Sequence, residues 1–118
     1  MAPEQVPRED PVVDVSERGE ALVLRLAGEL DLYNAPALRE ALSSCVERSP
    51  RRLVVDLGEV TFVDSTALGA LVEARSKLRD GDGLALARPG LETRRALEVS
   101  GLDRHLTVHE SVEAALAG

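Results

Sequence analysis

The sequence predicts a single α/β domain built on a mixed β-sheet of about five strands and about four helices. Short apolar runs of strand length alternate along the chain with amphipathic stretches of helical length. A chain of 118 residues has the usual size of one domain. Hydrophobic residues make up 44% of the chain but aromatic residues only 2%, so the core must consist of Leu, Val and Ala.

The first elements are a leader and a hairpin. Residues 1–11 contain three prolines and four charges, which predicts a flexible leader before a domain over residues 12–118. Val12–Val15 predicts a first strand, closed by a turn around Gly19. Leu22, Leu24 and Leu26 alternate with other residues, and this period of two predicts a second strand paired with the first.

The middle of the chain predicts a helix, a buried strand and a second helix. Asn34 is a plausible N-cap and Pro36 fits a first turn. The unbroken apolar run at residues 53–55 is typical of a parallel strand covered on both faces, and residues 58–63 are predicted to connect it to a helix over 65–78. The apolar face of the first helix comprises Leu38, Leu42, Cys45 and Val46, and that of the second Leu68, Leu71, Val72 and Leu78.

The last third repeats this alternation. We predict a turn at 81–83, a strand at 84–87, a helix over 91–99 and an edge strand at 106–108, followed by a terminal helix that Ser111 caps. Binding sites in open sheets lie at the carboxyl ends of the strands. Two loops qualify, 28–34 and 58–66.

Composition excludes several classes of function. The net charge of −7 and the scarcity of aromatic residues argue against a nucleic-acid partner. No apolar run approaches the length of a membrane span and no signal peptide is evident, so we expect a cytoplasmic protein without membrane insertion. Cys45 is predicted to be a buried, inert thiol. His105 and His109 flank a predicted strand, and we expect neither a metal site nor a bound cofactor.

Asp64-Ser65-Thr66 is the most informative segment. By physical chemistry alone, Asp64 or Ser65 is a helix N-cap and the Ser65 hydroxyl is exposed at a helix start. Such a position favours an added phosphate through the free N–H groups and the helix dipole. Asp31 would lie near Ser65 if the two loops meet. Spacing alone indicates no more than this.

Three segments together resemble a known family. Gly28-Glu29-Leu30-Asp31, Val54-Val55-Asp56-Leu57 and the stretch from Val63 to Gly69 resemble the STAS domain, in particular the bacterial anti-sigma factor antagonists, over residues 12–117. One position departs from the pattern. Ala67 stands where many relatives carry Gly, and alanine should stiffen the first helical turn.

The resemblance implies a switch. Ser65 is similar to the phosphoacceptor of a Ser/Thr kinase that is itself the anti-sigma factor. Asp31 resembles an acidic residue that helps partner binding and phosphorylation, and Asp64 and Thr66 would line the contact surface. The unphosphorylated protein would bind the anti-sigma factor kinase, the phosphorylated protein would release it, and a phosphoserine phosphatase would reset the cycle. ATP and magnesium would belong to the kinase. A monomer or a weak dimer is expected.

Other functions stay open. A STAS-type accessory subunit of a transporter or lipid-trafficking complex would need no serine phosphorylation. A hydrolase that uses Ser65 is disfavoured because the sequence lacks a Gly-x-Ser-x-Gly elbow. Nucleotide binding by the domain is disfavoured because the sequence contains no Gly-x-x-x-x-Gly-Lys phosphate loop. We therefore expect a protein that is not an enzyme.

Overall fold

Five strands form one mixed sheet in the order in which they occur along the chain. The computed structural model describes residues 10–78 and 83–118. Its strands, which lie in the order β1-β2-β3-β4-β5, are β1 (Val12–Arg18), β2 (Ala21–Leu30), β3 (Arg52–Val63), β4 (Leu84–Ala87) and β5 (Thr107–His109). β1 and β2 are antiparallel, and the other three pairs are parallel. The predicted fold class, with its opening hairpin and parallel core, is confirmed.

Within the described residues, four helices cover the two faces of this sheet unequally. They are α1 (Ala35–Glu47), α2 (Ser65–Lys77), α3 (Leu91–Ser100) and α4 (Val112–Ala117), and a short 3-10 helix spans Leu102–Arg104. α1, α2 and α3 contribute to the main core on one face. On the other face α4 places Ala115 against a smaller cluster of Val23, Val54, Ala85 and Ala87. This second face of the sheet therefore has the thinner covering layer.

Small side chains let α2 pack closely. Its buried residues are Ala67, Leu68, Ala70, Leu71 and Ala74. Val72 and Leu78, which were predicted for the core stripe, are only half-buried. α2 packs closely against α1, and its inner face combines these alanines with Leu68 and Leu71.

β3 differs most from the prediction. Residues 58–63 were expected to be a connection, but they continue the strand to Val63. The pairing with β2 shifts register twice, between Arg25 and Ala27 and between Gly28 and Glu29. Each shift is a bulge that inserts one extra residue into β3, so the ten residues of β2 pair with twelve of β3. The bulges interrupt the alternation of apolar residues by which a strand is recognised in a sequence.

The far part of β3 pairs with β2 alone. β4 pairs with β3 only as far as Asp56. Beyond that point Ala27–Leu30 and Glu59–Val63 form a two-stranded extension of the sheet, which we call the arm. The arm carries the two loops that the sequence singled out.

Differences at the chain ends are small. The last strand is Thr107–His109, one residue later than predicted, because Leu106 is buried in the main core before the strand begins. The predicted leader lies outside the described residues except for Asp10 and Pro11, and residues 81 and 82 of the predicted turn lie outside them too. Pro11 is buried, and its carbonyl accepts a hydrogen bond from the Ala27 N–H at 2.9 Å. The domain boundary at residue 12 stays a prediction.

Candidate functional site

The site lies where the two strands of the arm end. Leu30 is level with Val63 in the β2–β3 register, so Asp31 and Asp64 follow neighbouring strand ends. The Asp64 N–H donates to the Leu30 carbonyl at 3.0 Å. The two predicted loops therefore meet, as parallel strands require of their carboxyl ends.

Asp64 joins the two loops through both of its carboxylate oxygens. Its Oδ1 accepts from the Ala67 N–H at 3.0 Å, which makes Asp64 the N-cap of α2. Its Oδ2 accepts from the Leu32 N–H at 2.9 Å in the loop after β2. The sequence left Asp64 and Ser65 as alternative caps, and the structure assigns the cap to Asp64. One side chain thus fixes the start of α2 and the loop opposite.

Ser65 is the first residue of α2 and its side chain is exposed. Within residues 10–78 and 83–118, no hydrogen bond holds its hydroxyl. Thr66, the next residue, is half-buried. A serine in this position presents a free hydroxyl on a rigid element, next to the N-terminal N–H groups of a helix.

The loop after β2 is held by its own side chains. Asp31 Oδ1 accepts from the N–H groups of Tyr33 at 3.0 Å and Asn34 at 3.2 Å. Asn34 Oδ1 accepts in return from the Asp31 N–H at 2.9 Å. This reciprocal pair closes the loop and fixes the position of Asp31, which is half-buried.

The predicted capping role of Asn34 is wrong in its chemistry. Asn34 occupies the N-cap position of α1, but its side chain makes no hydrogen bond to the first turn. Its ψ is 4°, whereas a residue that caps a helix usually has an extended backbone. The amide instead donates to the Glu29 carbonyl at 2.6 Å, so it stabilises the loop and not the helix.

Three exposed apolar side chains surround the site, and the sequence analysis missed them. Leu32 is 62% exposed, Tyr33 73% and Phe62 47%. We call them the apolar rim. Phe62 lies outside the core because the second bulge of β3 falls just before it. One signal was available, since the only Tyr and the only Phe of the chain both adjoin the site segments.

A second acidic side chain on β3, that of Asp56, forms an ion pair with Arg88 inside the fold. Asp56 is buried, and Arg88 donates to its two oxygens from Nε and Nη2, both at 3.0 Å. Hydrogen bonding to Asp56 raises the pKa of the Arg88 guanidinium. Arg88 has a φ of +56°, a left-handed conformation that is unusual for a non-glycine residue.

Other candidate groups contribute nothing to this site. Cys45 is buried as predicted, and desolvation raises the pKa of its thiol. In the part of the chain that the structure describes, no cluster of three or more His, Cys, Asp or Glu could hold a metal ion. His105 and His109 lie at β5, separated from β3 by β4. None of the described helices combines the length and the apolar character that crossing a membrane requires.

Comparison with known proteins identifies the family. The STAS domain model matches residues 12–115. The chain is 33% identical over 106 residues to the anti-sigma-F factor antagonist RsfB of Mycobacterium tuberculosis, covering 90% of this chain and 87% of that protein. It is 34% identical over 109 residues to the anti-sigma-B factor antagonist of Listeria monocytogenes, covering 90% and 94% of the two chains.

A solved structure agrees with these relatives. The crystal structure of an anti-sigma factor antagonist from Mycobacterium paratuberculosis matches with a TM-score of 0.82 at 33% identity, covering 87% of this chain and 88% of that one. The chain therefore belongs to the STAS domain family, in which its relatives are anti-sigma factor antagonists.

Proposed function

We propose that this chain is an anti-sigma factor antagonist that changes partners through phosphorylation of Ser65. Unphosphorylated, it binds an anti-sigma factor that is also a Ser/Thr kinase. Phosphorylated, it releases that kinase, and a phosphoserine phosphatase restores the first state. The protein acts in the cytoplasm as a regulator and not as an enzyme, and the kinase supplies ATP and magnesium.

The observation that carries this proposal is the state of the Ser65 hydroxyl. It is exposed and has no hydrogen-bond partner among the described residues. The residue before it is fixed by two hydrogen bonds, from Ala67 and Leu32. A kinase would therefore meet a hydroxyl that is held in place by the backbone and does not have to be released from an internal contact.

Phosphorylation would change the surface and leave the fold intact. A phosphoserine adds about −1.5 to −2 charges at neutral pH. Since Ser65 begins α2, the helix dipole and the first-turn N–H groups stabilise that charge. The carboxylate of Asp64, the preceding residue, adds to the negative charge there. A partner that docks there meets added bulk and charge, while the core beneath does not move.

The apolar rim supplies the surface for docking. Leu32 and Tyr33 lie on the loop that Asp64 holds, and Phe62 lies on the arm next to them. Exposed aromatic residues beside charged groups are typical of interface centres and their polar edges. We infer that the kinase covers the rim with apolar side chains and meets Asp31 and Asp64 with basic or hydrogen-bonding groups.

Replacement of Ser65 tests the proposal directly. The chain is incubated with its cognate anti-sigma factor kinase and ATP, and the phosphate is located by mass spectrometry of peptides. Ser65→Ala should abolish incorporation, whereas Ser44→Ala, the matched control at an exposed serine of α1, should retain it. Phosphate that persists on Thr66 or elsewhere in the Ser65→Ala variant would overturn the assignment.

A further inference from the structure

Gly69 occupies a place in α2 where the fold does not require glycine. It lies inside the helix and is exposed. A Cβ built on it would have nothing within 4 Å beyond its immediate neighbours and its own helix. Glycine is less favourable than alanine in a helix interior, because it loses more backbone entropy on folding. The isolated domain would therefore be more stable with alanine at this position.

Other glycines of the chain have a structural reason that Gly69 lacks. Gly28 and Gly101 have φ values of +80° and +79°, a region in which other residues are strained. Gly58 lies against Arg88, whose guanidinium group would collide with an added Cβ. Gly90 also has open space around it but is the N-cap residue of α3, a position that tolerates glycine. Among the described residues, nothing of this kind accounts for the glycine at 69.

The position of Gly69 connects it with Ser65. Residues four apart lie on the same face of a helix, so both residues share the outer face of α2. Side chains on a helix lean towards its N-terminus and cover the turn before their own Cα. A larger side chain at 69 would therefore cover the surface beside the Ser65 hydroxyl, and glycine leaves this surface open.

We propose that Gly69 is a close-contact point at which the anti-sigma factor kinase packs its main chain against α2 on reaching Ser65. The inference rests on the proposed function and adds to it a specific surface, formed by the outer face of α2 at Ser65 and Gly69. Small residues permit close approach of two backbones, which larger side chains prevent. The surface is continuous with the apolar rim, since Asp64 ties Leu32 to the start of the same helix.

The test is a size series at position 69. Gly69→Ala and Gly69→Gln both introduce residues that favour a helix, so both variants should melt at a higher temperature than the parent chain. Binding to the kinase should weaken about tenfold for alanine and further for glutamine, because overpacking at a close contact grows with side-chain size. Thermal melting followed by circular dichroism and titration calorimetry with the purified kinase measure the two effects.

Ser76→Gln is the matched control. Ser76 is exposed on the same helix near its C-terminal end. The Ser76→Gln substitution adds a side chain of similar size at a distance from Ser65, so it should leave the affinity for the kinase unchanged. Rates of Ser65 phosphorylation at low kinase concentration should follow the affinities across the series.

The outcomes separate this inference from the proposed function. If the parent chain neither binds the kinase nor receives phosphate on Ser65, the proposed function fails. If the parent chain does both and the two Gly69 variants bind equally well, only the close contact is overturned. Equal weakening by alanine and glutamine would also overturn it, because the loss would then follow helix stiffness and not size.

Discussion

Asp56 and Asp64 lie at the start and just past the end of the second half of β3. They make similar hydrogen bonds but serve different purposes. Each accepts from a backbone N–H shortly after it in the chain, Gly58 for Asp56 and Ala67 for Asp64. Asp56 is 4% exposed and its charge is matched by Arg88. Asp64 is half-buried and forms no ion pair within the described part of the chain.

The difference shows which carboxylate is committed to the fold. At Asp56 both oxygens accept from Arg88, so the charge of this buried carboxylate is matched within the fold. At Asp64 only N–H groups are bound, and the negative charge stays at the helix start beside an exposed hydroxyl. The comparison predicts that replacement of Asp56 affects stability alone, and that replacement of Asp64 affects both stability and binding.

The largest effect on stability is expected for Asp56→Ala. It leaves the Gly58 N–H and the Arg88 guanidinium without their acceptor, and should lower the free energy of unfolding by about 2–3 kcal/mol. The value is below that for a fully buried pair because the Arg88 side chain is 44% exposed. Urea denaturation measures the loss. The folded fraction should still accept phosphate on Ser65, and loss of phosphorylation there would contradict the separation of the two carboxylates.

Asp64→Ala should lower the free energy of unfolding by a smaller amount, about 1–2 kcal/mol, because it removes both the N-cap of α2 and the hydrogen bond from Leu32. Asp64→Asn is the informative partner variant, since asparagine caps a helix about as well but carries no charge. It should recover most of the stability in urea denaturation. Calorimetry with the kinase should still show weakened binding for Asn, and full recovery of affinity would mean that the charge of Asp64 plays no part in docking.

The smallest effect is expected for Gly58→Ala. An added Cβ would displace the end of the Arg88 side chain and disturb its bonds to Asp56, at a cost of about 0.5–1 kcal/mol. In an Arg88→Ala background the same substitution should cost almost nothing, because the obstructing group is gone. A double-mutant cycle of unfolding free energies measures this coupling. Equal costs in the two backgrounds would show that Gly58 serves the backbone and not the ion pair.

The sequence predicted the parts of the fold that depend on one periodic signal. Leu53, Val54 and Val55 are fully buried in a parallel strand, as an unbroken apolar run requires. The arm was missed because its two bulges remove the alternation by which a strand is recognised. Phe62 was missed for the same reason, since its exposure depends on where a bulge falls.

For the site, the general geometry was predictable and the contacts were not. The rule that parallel strands end at one edge correctly brought the loop after β2 against the start of α2, where Asp64 bonds to Leu30 and Leu32. The bond from the Leu32 N–H to Asp64 depends on the backbone path of two loops, which no local pattern encodes. The side chain of Asn34 turns back to Glu29 for a similar reason, because the loop and not the helix determines its conformation.

The two extra residues of β3 also make the site sensitive to chain length. They bring Val63 level with Leu30, and so determine how far Ser65 lies along the sheet from Asp31. Deletion of one residue between Asp56 and Asp64 would either remove one of these bulges or shift the end of the strand by about 3.3 Å relative to Leu30. The β-sheet core up to Asp56 would keep its pairing. The number of residues in the arm, and not only their identity, therefore sets where the exposed Ser65 hydroxyl lies relative to the loop that follows Leu30.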